Sequence, residues 1–194
     1  MSEESAKYGV VAMCESPQST LKIKIKKLRD DAVIPRKATD KAIGYDLFVP
    51  CDICIEHTRQ VISLGFAIEL PDGYEAKIEP RSGFSSKGIK GFELMNVTPD
   101  GRRPYDLISD NLWQRIDKSE RFNADVLVGK IDPDYRGEVG VIIHNSEPSK
   151  HFLVAKGTRI AQMTIYKTEA AEFEPTDELS DTDRGAGGFG STGS

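Results

Sequence analysis

Residues 21–28 read Leu21-Lys22-Ile23-Lys24-Ile25-Lys26-Lys27-Leu28, and their alternation points to the fold class. Leu21, Ile23 and Ile25 fall on one side, with Lys22, Lys24 and Lys26 on the other. A period of two turns one row toward a core and the other toward water, as in a half-buried strand. A helix would instead repeat its apolar residues every three or four positions. Further strand-like runs follow at 44–49, 60–69, 74–79, 138–144 and 160–167, separated by turn signals such as Pro71-Asp72-Gly73, Pro80, Gly88 and residues 145–148. Closely spaced strands without alternating helices predict an all-β sandwich, jelly roll or related barrel.

Three stretches depart from that rhythm. Residues 1–20 are polar and acidic-leaning and read as a flexible N-terminal segment. Residues 91–123 read as an insertion: a turn at Pro99-Asp100-Gly101, then Ile108, Leu112, Trp113 and Ile116 at helical spacing within 105–122. That pattern predicts one short amphipathic helix, packed on the core, offered to a protein partner or flanking an active site. Residues 178–194 are acidic, then glycine-rich, and read as a flexible C-terminal segment following a β domain at 21–177.

A net charge of −5 argues against broad binding to a nucleic-acid backbone, although a few local arginines can still hold one phosphorylated ligand. No apolar run is long enough to span a membrane, and the first residues lack the basic and apolar regions of a secretory signal. A cytoplasmic protein is the expectation. Cys51-x-x-Cys54 with His57 offers three ligands where structural zinc takes four, so Cys14, Cys51 and Cys54 read as ordinary reduced thiols.

Three clusters carry chemistry. The tail Arg184-Gly185-Ala186-Gly187-Gly188-Phe189-Gly190-Ser191-Thr192-Gly193 contains G-x-G-x-x-G, but too few residues follow Gly190 to build the helix of a dinucleotide fold. It leaves a loop of backbone N–H groups able to close on phosphate oxygens, a permanently charged Arg184, and Phe189 as a stacking face. In Glu79-Pro80-Arg81-Ser82-Gly83-Phe84, Arg81 neutralises charge, Ser82 donates a hydrogen bond and Gly83 admits a ligand close to the backbone. Residues 129–139 read as a tight hairpin in which Asp132 and Asp134 supply carboxylates and Tyr135 a platform. Each cluster alone is matched by a bland reading: a disordered tail, a common Pro-x-x-Gly turn, two solvated turn aspartates.

Together they resemble the trimeric deoxyuridine triphosphatase family, whose five ordered motifs all have counterparts here. The first is Ala42-Ile43-Gly44-Tyr45-Asp46-Leu47, the second Pro80-Arg81-Ser82-Gly83 and the third residues 129–139. The fourth is Gly157-Thr158-Arg159-Ile160-Ala161-Gln162-Met163, and the fifth residues 184–193. The resemblance implies a jelly-roll or β-clip-type barrel that hydrolyses dUTP to dUMP and pyrophosphate with Mg²⁺. Such an activity keeps uracil out of DNA and supplies dUMP for dTTP synthesis.

By the same resemblance, Asp132 is the general base that activates water for attack on the α-phosphate. Tyr135 packs on deoxyribose and excludes a 2′-hydroxyl. The segment 126–131 reads uracil through backbone groups, with Val126, Gly129 and Ile131 as contacts; Val126 stands where some relatives place an asparagine. Backbone groups fixed for uracil are left unpaired by cytosine, which discriminates by roughly 10⁴ or more. Arg81, Ser82, Gly83 and Gln162 hold the triphosphate, and Asp46 binds Mg²⁺ through water. Arg184, Phe189, Gly190, Ser191 and Thr192 form a lid over uracil and the γ-phosphate. The implied assembly is a homotrimer whose subunits share each site. A dCTP deaminase shares the fold, but it wants a glutamate base and an Arg-Ser-Ser second motif, where this chain has Asp132 and Arg81-Ser82-Gly83. A catalytically idle regulator would be expected to lose Asp132, Tyr135 or the lid residues. Zinc-deaminase, serine-hydrolase and zinc-protease motifs are absent.

Overall fold

The computed structural model describes residues 20–56, 58–94, 119–147 and 149–187. The sequence places Cys14, His57, the helical pattern at 108–116, and the tail residues Phe189, Gly190, Ser191 and Thr192 outside those bounds. Within them the chain forms thirteen strands and one six-residue helix.

The central sheet runs β10 (Gly129–Ile131), β6 (Tyr74–Glu79), β13 (Arg159–Lys167), β2 (Tyr45–Phe48), every pair antiparallel. A three-stranded sheet joins β4 (Arg59–Ser63), β11 (Gly140–Asn145) and β9 (Ala124–Leu127). A four-stranded one joins β3 (Ile53–Ile55), β12 (Phe152–Val154), β7 (Ile89–Glu93) and β8 (Glu120–Phe122). The fourth sheet is the pair β1 (Lys24–Lys27) and β5 (Phe66–Glu69). Helix α1 (Ser82–Lys87) follows β6. Leu47, Ile62, Leu64, Phe66, Ile143, Phe152 and Ile160 fill one core between these sheets. This is the all-β, jelly-roll-type barrel that the strand spacing predicts.

The structure corrects several local expectations. Strand β1 is exposed along its length rather than half-buried. Among the described residues it pairs only with β5; Ile23 packs against the core, while Leu21 and Ile25 line an open groove with Ile34, Tyr45, Ile68 and Met163. The run 60–69 is two strands. Gly65 has φ +78°, a left-handed bend that sends the chain from β11 to β1, and its N–H donates to Glu138 Oε1 at 2.7 Å. Glu120–Phe122, at the far end of the stretch in which the short helix is expected, is strand β8, paired with Ile89–Gly91 of β7, while the helical pattern itself lies outside the described residues. The two ends of the 91–123 stretch thus belong to the barrel. Among the described residues, no helix is long and apolar enough to cross a membrane.

Phe152 seals the sheet of β12 onto the core. It is fully buried and its ring stacks on Phe122, with centroids 4.2 Å apart and planes within 5°. Phe152→Ala removes that contact and leaves a cavity, an expected loss of about 3–5 kcal/mol. Urea unfolding followed by circular dichroism measures it.

Candidate active site

Two groups of polar residues stand at opposite ends of strand β6. At the first, Glu79 of β6 faces Gln162 of β13, and Gln162 faces Asp46 of β2. Direct cross-strand partners share a sheet face, so the three side chains form one row. Asp46 is 6% exposed, yet its carboxylate is fully engaged. Arg81 Nε donates to Oδ1 at 2.7 Å and Arg159 Nη1 to Oδ2 at 3.1 Å. Thr164 Oγ1 donates to Glu79 Oε2 at 3.2 Å. Gly44 backs onto Gln162; a Cβ at that position would lie 2.9 Å from Gln162 Oε1.

A β-bulge explains how Arg159 joins this row. Residues three apart on a regular strand point to opposite faces. The register of β13 shifts between Arg159 and Ala161. The extra residue returns Arg159 to the face of Gln162 and Asp46. Sequence reasoning missed Arg159 as a site residue for this reason, although it lies inside the fourth motif. Arg81 is anchored from the other side. Its carbonyl accepts from the Phe84 and Ser85 N–H groups at 2.8 and 2.9 Å, starting α1, while the Ser82 and Gly83 amides precede that bonding.

The second group follows β10. Gly129 and Ile131 pair with Ile78 and Ala76 of β6, and the chain then turns, with Tyr135 N–H donating to Asp132 O at 3.1 Å. This turn is not the expected hairpin: β10 belongs to the central sheet and β11 to another, so its two flanks do not pair. Val126 likewise lies on β9, opposite Ile143, with its side chain buried; the chain changes sheet at exposed Val128. Asp132 is exposed, and among the described residues no ion pair or side-chain hydrogen bond holds its carboxylate. Tyr135 is held firmly, its hydroxyl donating to Glu138 O at 3.0 Å. Beside the turn, hydrogen bonds from Lys130 and then Lys77 hold the Glu75 carboxyl below its ordinary range.

Continuing the β10–β6 register places Asp132 beside Glu75, six residues before Arg81. At about 3.3 Å per residue their backbones lie on the order of 15–20 Å apart. Within one chain the structure therefore gathers Asp46, Arg81 and Gln162 at one end of β6 and Asp132 and Tyr135 at the other, with Gly129 and Ile131 between them on β10, opposite Ile78 and Ala76. Arg184 joins neither: its Nε donates to Gly187 O at 2.7 Å within an exposed turn.

A barrel with a free carboxylate turn toward one end of a strand and an arginine-rich polar row at the other offers groups suited to an anionic, phosphorylated ligand. The family model described as dUTPase matches residues 30–95 and 118–193. The chain belongs to the dUTPase family. It is 41% identical over 175 residues to the deoxyuridine 5′-triphosphate nucleotidohydrolase of Hydrogenobaculum sp. (strain Y04AAS1), covering 89% of this chain and 99% of that one. It is 39% identical over 174 residues to the enzyme of the same name from Nautilia profundicola, again covering 89% and 99%. Among solved structures, the dUTPase of Staphylococcus bacteriophage 80alpha with dUPNHPP superposes with a TM-score of 0.67 at 24% identity, covering 90% of this chain and all 100% of that one.

Removing the charge of Asp46 leaves two guanidinium groups against a buried amide. Arg81 and Arg159 keep side-chain exposures of 26% and 47%, so water offsets part of the loss. Asp46→Asn is expected to cost about 1–3 kcal/mol and Arg159→Gln less than about 1 kcal/mol, read from urea midpoints.

Proposed function

We propose that this chain hydrolyses dUTP to dUMP and pyrophosphate, with Asp132 activating the water that attacks the α-phosphate. The observation that carries this reading is the Asp132–Tyr135 turn, which pairs a free carboxylate with a rigidly tethered aromatic ring. An exposed carboxylate within hydrogen-bond reach of a bound water can take its proton as that water attacks. The Tyr135 ring covers the sugar and leaves no room for a 2′-hydroxyl, while backbone groups of β10 read uracil.

Arg81, Ser82, Gly83 and Gln162 hold the phosphates, opposing charge as it builds on the departing pyrophosphate. Arg184, with Phe189, Gly190, Ser191 and Thr192, closes over the bound nucleotide. Asp132 and Arg81 lie toward opposite ends of β6, six residues apart along the ladder. That separation supports a homotrimer in which subunits combine their halves of each site.

Magnesium suits this donor set only through water. Both Asp46 oxygens already accept from arginines, and the described residues hold no cluster of three metal-ligating side chains. Mg²⁺ prefers an octahedral shell rich in water and substrate phosphate, so Asp46 would hold it by accepting from a coordinated water. When bound, the ion neutralises phosphate charge and fixes the triphosphate conformation. The dUTPase of phage phi11 of S. aureus has a structural Mg(II) ion.

Tyr135 depends on Gly137. A Cβ there would fall 2.4 Å from Tyr135 Oη and 2.6 Å from Cζ. Pyrophosphate release from dUTP, dCTP, dTTP and UTP with Mg²⁺ tests both points. The wild type is expected to turn over dUTP alone. Asp132→Asn should lose at least about 10²-fold in kcat, the usual contribution of a general base. Gly137→Ala should narrow the preference for dUTP over UTP by displacing the ring. A folded wild type without dUTP turnover would overturn the proposal.

A further inference from the structure

Behind Arg81 the surface carries more positive charge than the motif residues explain. A groove of about 280 Å³ is lined by Arg81, Lys87, Lys90, Arg121 and Arg159, with no acidic side chain in its wall. This is a local excess on a chain whose net charge is −5. Arg81 and Arg159 share the single carboxylate of Asp46. The other three cations are exposed and have no anionic partner among the described residues. Lys90 on β7 and Arg121 on β8 are direct cross-strand partners. Like charges placed directly opposite each other weaken a strand pair. Arg121 is nonetheless pinned there, its Nη1 donating to Gly88 O at 2.9 Å. An arrangement that opposes its own sheet and holds the charges in place is what an anion-receiving surface requires.

We propose that Lys87, Lys90 and Arg121 form an oligophosphate-binding groove that draws in the triphosphate of the incoming nucleotide and holds pyrophosphate as it leaves. The groove continues directly from Arg81 and Gly83, so a phosphate chain bound there leads to the phosphate end of the proposed site. Its size suits two or three phosphates rather than a nucleic-acid strand, and the acidic remainder of the chain disfavours an extended polyanion. The substrate role rests on the dUTP reading above, whereas oligophosphate binding by the groove does not.

The test pairs binding with kinetics. Calorimetry with inorganic tripolyphosphate is run on the wild type, on the Lys87→Gln/Lys90→Gln double variant and on Arg121→Gln; the double variant leaves the Arg121–Gly88 bond intact. Tripolyphosphate affinity is expected to fall by about tenfold or more in the double variant. Steered association typically gains 10–10³-fold, so kcat/KM for dUTP should fall about 3–10-fold at low salt, with the loss on KM, a flatter salt dependence and weaker inhibition by pyrophosphate. Unchanged tripolyphosphate affinity in both variants overturns the groove. So does a single-stranded oligonucleotide that binds the wild type more tightly than tripolyphosphate. Groove-dependent tripolyphosphate binding by a protein that leaves dUTP intact would uphold the groove and overturn the hydrolase reading.

Discussion

Asp46 lies nearly buried between two guanidinium groups. Arg81 enters from the end of β6, Arg159 from the bulged start of β13, and Asp46 itself from β2. A carboxylate taken out of water is costly unless its charge and its lone pairs are matched, and here two charged donors match them. The clamp fixes one face of the central sheet and holds Arg81 where α1 begins. It also leaves Asp46 able to reach an ion only through an intervening water.

From that clamp the ladder measures off the remaining groups. Strand β6 carries Glu79 at the clamp end and Glu75 at the other, where β10 brings Asp132 and Tyr135 alongside. The strand is therefore both the link between the two polar groups and the spacer that keeps them apart. Tyr135 is tied in turn to Glu138, whose carboxylate holds the Gly65 bend between β4 and β5. The tyrosine is thus braced against a core turn.

Much of this was legible in the sequence. The runs 74–79 and 160–167 alternate apolar and polar residues because one sheet face meets the core, and the structure has strands at Tyr74–Glu79 and Arg159–Lys167. The three-residue strands β3, β8 and β12 are too short to show a period, and α1 buries only Phe84, so no helical stripe could mark it. β1 misled because alternation reports which side could be buried, not how far the layer behind it covers that side. The motif residues were found by their order along the chain. The partnership of Arg159 with Asp46 was not, since a bulge changes a strand's facing without changing its composition. The like-charged pair Lys90 and Arg121 was equally hidden, because their register arises from residues more than thirty positions apart.

The account turns on one claim: that Asp132 and Arg81, held apart by β6 within a chain, act together across chains. Subunit mixing tests it most directly. Asp132→Asn and Arg81→Gln chains, each inactive alone, are unfolded together, refolded into a common oligomer and assayed for pyrophosphate release from dUTP. The account predicts that the mixture regains activity, because some sites then combine an intact Asp132 with an intact Arg81 from a neighbour. A mixed oligomer that forms and stays as inactive as its parents contradicts it.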